Sequence, residues 1–188
     1  MPEDLLTAKI SHGFDHLDAD GDGSLTEEDH RVMGRSVAAS LGHAVGSPEE
    51  GRIVDAYLDI WRELHLPRLP AGATSQSKEE FVRAVASLAG RPEAARATLG
   101  ALAEAFLEIA DADGDGRVDV DEFHAFQRGH FPRFTRDTAE EAFRRLDRDG
   151  DGGLSREEFV SAVIEYWTSA DPAAPGNWWA GEPFPGLR

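Results

Sequence analysis

Residues 111–122 read DADGDGRVDVDE, and their oxygen-bearing side chains recur at the offsets that a hard divalent cation requires. In a twelve-residue calcium loop, Asp111, Asp113 and Asp115 stand at positions 1, 3 and 5. Gly116 takes the sharp turn at position 6, and Glu122 at position 12 can close the shell with both carboxylate oxygens. Arg117, at position 7, offers its main-chain carbonyl, so its side-chain charge does not exclude it as a ligand. Asp119 at position 9 is placed to hold a water or the ion. Carboxylates about 4 Å apart repel by about 4 kcal/mol per pair at an effective dielectric near 20, so a folded loop without an ion is strained by its own charge. A divalent cation reverses the sign of that interaction.

Two further stretches repeat the pattern. Residues 18–29, DADGDGSLTEED, place Asp18, Asp20 and Asp22, the carbonyl of Ser24, and Asp29 at the same offsets, with Thr26 at position 9. Asp29 is one methylene shorter than the usual glutamate, which favours a tighter, lower-coordinate shell, so this site is expected to admit Mg²⁺ most readily. Residues 147–158, DRDGDGGLSREE, supply Asp147, Asp149, Asp151, the carbonyl of Gly153, and Glu158. The second glycine of that loop adds backbone entropy to be lost on ordering, so this site is expected to be somewhat weaker than that at 111–122. A fourth stretch has decayed. If Glu80 is position 12, then Leu69, Ala71 and Ala73 occupy positions 1, 3 and 5, and no side chain there can bind a cation. A metal-free unit is nonetheless useful, because one helix–loop–helix cannot cover its own apolar face.

Helical periodicity surrounds these loops. Leu6, Ile10, Phe14 and Leu17 mark a helix over about 3–17, and Val32, Met33, Val37 and Leu41 the helix leaving the first loop. After a break at 42–48, Ser47 with Glu50 resembles a capping box, and Tyr57 and Trp61 read as core on the helix behind it. Leu99, Leu102, Phe106 and Ile109 line the helix entering the third loop, and Phe123 and Phe126 the one leaving it, which residues 129–132 end. Asp137 with Glu140 is the expected cap of the next helix, and Phe159, Val163, Ile164 and Trp167 lie on the last. Val118 is expected to pair with Leu154, and Leu25 with Gln76. The expectation is an all-α protein of four helix–loop–helix units in two packed pairs, 1–90 and 91–170. Only Gly90, Arg91 and Pro92 separate them, after a helix ending near Ala89. The tail, 171–188, is expected to be non-helical and to fold back through Trp178, Trp179 and Phe184, because so much apolar area is costly in water.

The chain has 188 residues and a net charge of −17. Nearly half of its 36 acidic residues lie in the three intact loops, so most of the excess acidity is metal chemistry. With three ions bound it would still repel nucleic acid and anionic membrane, and no basic patch offsets this. No cysteine is present, which removes disulfides and thiol chemistry. There is no nucleophile elbow or phosphate loop, and a non-enzymatic protein is expected. His12 and His16 form an i, i+4 pair best read as solvated helix surface. No apolar run is long enough to span a bilayer, and no leader is recognisable, so a cytoplasmic monomer is expected. Almost all of the 19 basic residues are arginine, a trace of a GC-rich, bacterial genome.

Three filled loops, a dead second one, Asp at the end of the first, and the tail YWTSADPAAPGNWWAGEPF resemble the calerythrin and sarcoplasmic calcium-binding protein family of EF-hand proteins. The resemblance implies a compact four-hand protein binding three Ca²⁺ at hands one, three and four, with Mg²⁺ competing, that buffers or shuttles calcium. No sign of the chemistry of the luciferin-binding and photoprotein relatives is found residue by residue. The alternative to a buffer is a sensor that opens an apolar groove to a protein target. Sensors use flexible, Met-rich grooves. With two Met, rigid Phe and Trp, and no long linker between its halves, this chain reads as a buffer, and no particular target is indicated.

Overall fold

The structure, a computed structural model, describes residues 4–181. Glu3 in the expected first helix and Phe184 in the tail lie outside the described residues. Four helix–loop–helix units follow one another. α1 (Leu5–Leu17) enters the first loop and α2 (Glu27–Ser40) leaves it; α3 (Pro48–Asp59) and α4 (Lys78–Ala86) flank the second. α5 (Pro92–Ala110) and α6 (Val120–His130) flank the third, α7 (Arg136–Leu146) and α8 (Arg156–Thr168) the fourth. Every leaving helix begins inside its loop, and for one reason. The residue at position 9 (Thr26, Ser77, Asp119 or Ser155) is the N-cap, and the carboxylate at position 12 is the N3 residue that bonds back to it.

Short antiparallel ladders join the loops in pairs. β1 (Ser24–Leu25) lies on β2 (Gln76–Ser77) with Leu25 opposite Gln76, and β3 (Arg117–Val118) on β4 (Leu154–Ser155) with Val118 opposite Leu154. Both registers are those the loop alignment predicts. Gln76 is a sound partner despite its polarity, because its buried side-chain oxygen accepts a hydrogen bond from His65 Nδ1 at 3.2 Å.

Several local expectations change. The third helix continues into a π-helical turn, Ile60–His65, and a 3-10 turn, Leu66–Arg68. α4 stops at Ala86 rather than near Ala89. α7 is capped by Thr135, whose hydroxyl accepts from Thr138 N at 3.2 Å, not by Asp137. Ser47 does cap α3, but Glu50 reaches back to the Gly46 amide instead of that of Ser47. His12 and His16 are half-buried, not solvated, and both pack on the Phe131 ring.

The two halves meet closely at α2 and α6. Ser36 Oγ donates to Gly129 O at 2.8 Å and Ser40 Oγ to Ala125 O at 2.6 Å. α6 ends at His130, within the expected 129–132, but Gly129 itself lies inside the helix, where an added Cβ would sit 2.6 Å from Val37 Cα. Tyr57 and His130 meet across the same boundary at 2.6 Å, with His130 Nδ1 3.2 Å from Phe126 O. A carbonyl only accepts, so Nδ1 carries the proton and Nε2 accepts from the phenol. Burial pushes the His130 pKa down to about 4, which keeps the ring neutral.

Beyond α8 the chain turns back. A 3-10 turn at Pro175–Trp178 replaces the expected wholly non-helical course. Trp179 is 4% exposed, and its carbonyl accepts from Gln127 Nε2 at 2.7 Å. Fully buried Lys9, on the apolar face of α1, clasps this segment. Its Nζ donates to Ser169 O and Asn177 Oδ1, both at 2.7 Å, and to Glu165 O at 3.3 Å. Burial lowers its pKa to about 8, against the favourable field of Glu165.

Two glycines of equal helix propensity give opposite expectations. Gly51 in α3 is exposed with open space where a Cβ would go, so Gly51→Ala should stabilise by about 0.5–1 kcal/mol. Gly129→Ala must move backbone against backbone and should destabilise by about 1–3 kcal/mol despite the same propensity gain. Urea unfolding of the calcium-loaded protein measures both; a stabilised Gly129→Ala would show that this crossing is not tight.

Candidate metal centres

Each intact loop is wrapped around its first carboxylate. Asp111 Oδ1 accepts from Gly114 N at 2.8 Å and Asp115 N at 3.1 Å, and Oδ2 accepts from Gly116 N at 3.0 Å. Asp18 takes the matching bonds from Gly21, Asp22 and Gly23, and Asp147 from Gly150 and Gly152. The third of these bonds depends on a left-handed backbone at position 6, φ 88° at Gly116, which glycine adopts without penalty. The result is three clusters whose carboxylate oxygens lie within 4.8 Å of one another: Asp18, Asp20 and Asp22; Asp111, Asp113 and Glu122; Asp147, Asp149 and Glu158.

The residue at position 12 ties the two ends of each loop together. Glu122 Oε1 accepts from Ala112 N at 2.9 Å while Oε2 accepts from Asp119 N at 2.9 Å. Glu158 does the same with Arg148 N at 2.8 Å and Ser155 N at 2.9 Å. Burial pushes the Glu158 carboxyl up, but the hydrogen bonds from Ser155, Arg148 and Asp149 outweigh it and hold the group below the usual carboxylate range. Asp29 makes the same two-ended closure, to Ala19 N at 3.0 Å and Thr26 N at 2.8 Å. Its shorter side chain nevertheless leaves it out of the cluster formed by Asp18, Asp20 and Asp22. In the second loop Glu80 bonds to Ser77 alone, at 2.9 Å to N and 2.8 Å to Oγ, and does not reach the start of the loop. Leu69, Ala71 and Ala73 offer nothing for it to close upon.

The side chain of Arg117 does more than its position-7 carbonyl indicated. It crosses the ladder to the fourth loop, pairs with Asp151, and donates to Gly153 O at 2.8 Å. Both are ligand positions of that loop. Hydrogen bonding from Arg117, aided by the Gly153 amide, holds the Asp151 carboxyl below its ordinary range. An added Cβ at Gly153 would lie 2.6 Å from Arg117 Nε, the far end of a flexible side chain that could move aside. The ladder register could have pointed here, because it sets Arg117 opposite Ser155, beside the ligands of the partner loop. Neither Asp115 nor Asp151 joins the carboxylate cluster of its loop.

A donor set of carboxylates and main-chain carbonyls, without imidazole or thiolate, suits a hard divalent cation of the calcium and magnesium kind. The fit is close in the third and fourth loops, where position 12 is already beside positions 1 and 3.

Comparison with known proteins agrees with this geometry. Residues 101–164 match the model of the EF-hand domain pair. The chain is 25% identical to calerythrin of Saccharopolyspora erythraea over 168 residues, covering 88% of this chain and 94% of that one. Among solved structures, the calcium-loaded apo form of the coelenterazine-binding protein of Renilla muelleri has the same fold, with a TM-score of 0.75 at 23% identity over 94% of this chain and 95% of that one. A calcium-binding protein of Streptomyces coelicolor, described for its part in prokaryotic calcium-mediated regulation, superposes with a TM-score of 0.65 at 28% identity over 87% of this chain and 98% of its own. Its helix–loop–helix fold, three acidic loops and these likenesses together make the chain a calcium-binding EF-hand protein, similar along most of its length to calerythrin.

Proposed function

We propose that the protein is a calcium buffer or shuttle, with one ion at each of three hands and Mg²⁺ competing, most at hand one. The ligands assigned are Asp18, Asp20, Asp22, Ser24 O and Asp29; Asp111, Asp113, Asp115, Arg117 O and Glu122; and Asp147, Asp149, Asp151, Gly153 O and Glu158. Residues 1–90 and 91–170 act as the two hand pairs. The observation that carries the reading is the burial of the apolar face a sensor would have to offer. That face lies between the halves, bridged by Tyr57 and His130 and covered at one end by Trp179. Among the described residues the large hydrophobic side chains left exposed are Val32, Val45 and Leu66, which are scattered rather than gathered in a groove. The regulatory setting of the Streptomyces relative favours the sensor instead, so the decisive test must separate the two.

Calcium titration by calorimetry, with apolar dye binding followed in parallel, makes that separation. The expected result is three ions per chain, none in the loop at 69–80, and dye binding that falls or stays flat. Ions at about 100 times their dissociation constants would add about 2.7 kcal/mol per independent site, so chelation should lower the melting temperature steeply. Dye binding that rises with calcium, tertiary structure being kept, would establish a sensor. Glu122→Gln and Glu158→Gln should each remove most of the affinity at their own site.

Asp29→Glu should bring position 12 into the first cluster and raise the preference of that site for Ca²⁺ over Mg²⁺. An unchanged Mg²⁺ competition curve would place the control elsewhere in the loop.

Arg117 occupies two ligand positions of the fourth loop, and an ion must displace it. Arg117→Gln should therefore tighten calcium binding at that site by roughly threefold, as expected for loss of one exposed ion pair. Weaker binding there would mean that the guanidinium organises the loop rather than competing for it.

A further inference from the structure

A cavity of about 390 Å³ runs from the interface of the two halves to the surface between the turn at Leu66–Arg68, α4 and α5. Its inner end is apolar and aromatic, with Phe81, Leu99, Phe106 and Trp179 buried in its wall. The π-helical turn at Ile60–His65 carries Leu64 and His65 to its side. Such turns are rare and recur at functional sites. The histidines on the wall do not spoil its neutrality, because burial lowers His65 to about 3 and His130 to about 4.

The charges on this cavity are unlike those of the rest of the molecule. The chain is rich in acidic residues, yet among the described residues none lines the cavity, whose charged side chains are Arg68 and Arg91. Both are exposed, and with Ala84 and Ser87 they mark its mouth. Arg68 spans that mouth, donating to Leu64 O behind it and, at 3.1 Å, to Thr98 Oγ1 on α5. A guanidinium has five N–H donors in a planar fork, so donors remain for a second acceptor. The field of Arg68 also reaches inward, since it contributes to holding His65 neutral.

An apolar interior with a purely cationic rim selects a molecule with an apolar body and one anionic end. We propose that the cavity is a binding site for a single-chain anionic amphiphile of the medium-chain carboxylate class, its head held by Arg68 and Arg91 and its chain running toward Phe106 and Trp179. If a methylene fills about the ~30 Å³ of a liquid water, the volume accommodates a chain of about a dozen carbons. This site is separate from the acidic loops and does not depend on the buffering reading.

The test is calorimetry of the calcium-loaded full chain with dodecanoate below its micellar concentration, free Ca²⁺ held at micromolar levels and salt at physiological strength. One saturable site per chain is expected, at least about tenfold tighter than dodecanol or butanoate, which lack the head or the chain. The double variant Arg68→Gln/Arg91→Gln should bring dodecanoate down to the level of dodecanol, with the calcium titration unchanged. Ala94→Trp, at the mouth, should block both long-chain compounds. Absence of saturable dodecanoate binding would overturn the proposal. So would dodecanol binding as tightly as dodecanoate, or binding of several molecules that neither variant affects. The arginine variant alters exposed side chains, so it remains informative if Ala94→Trp does not fold.

Discussion

One carboxylate at the twelfth position of each intact loop does two jobs, and the arrangement of the helices rests on their being the same atoms. Asp29, Glu122 and Glu158 each accept one amide from the start of the loop and one from its ninth residue. The ninth residue is also the N-cap of the leaving helix, so the entering and leaving helices are fastened to a single side chain. A cation that draws on that carboxylate pulls on both helices at once. Glu80 keeps the cap and loses the closure. The second unit therefore retains its leaving helix and its ladder strand while its loop has no centre.

Most acids of the three loops lie at the surface, and Asp29 and Glu158, which are buried, are held by the amides at the two ends of their loops. The hydrogen bonds that Ser36, Ser40 and Tyr57 make between the halves use hydroxyls, main-chain carbonyls and a neutral imidazole. These bonds desolvate no charge, which is the costly step in burying polar groups, whereas the buried Lys9 ammonium, which also joins the halves, is met by three oxygen acceptors. The uncharged bonds also leave the helices free to approach until backbone meets backbone at Gly129 and, within the first half, until Gly34 meets Val54.

What could be read from the sequence was what depends on fixed offsets along the chain. The three acidic loops, the decayed second loop, the ladder pairs Leu25–Gln76 and Val118–Leu154 and the inward faces of the helices all follow from periods of twelve, two or three to four residues. What could not be read depends on groups brought together from distant parts of the chain. Gly129 opens the stretch that ends α6, and only the approach of Val37 gives it a second role in close packing. His12 and His16 looked solvated until Phe131, on a different helix pair, covered them. Position 7 in the loop indicates only the carbonyl of Arg117, and its guanidinium acquires a role once the fourth loop lies opposite. The π-helical turn that brings His65 to Gln76 has no local signature comparable to a cap or a glycine.

Lys9 bears on how the molecule is assembled in time. Its three acceptors stand 156 to 168 residues further along the chain, so during synthesis α1 emerges long before anything exists to receive its ammonium. Contacts of such separation form late, because the loop they close is costly until other structure has shortened it. Until then the lysine stays hydrated in the middle of the apolar stripe of α1 and interrupts a surface that would otherwise invite association with other nascent chains. The same residue is thus a solubilising charge on the ribosome and a buried clasp in the finished protein, and arrival of the segment at 169–177 marks the change from one role to the other.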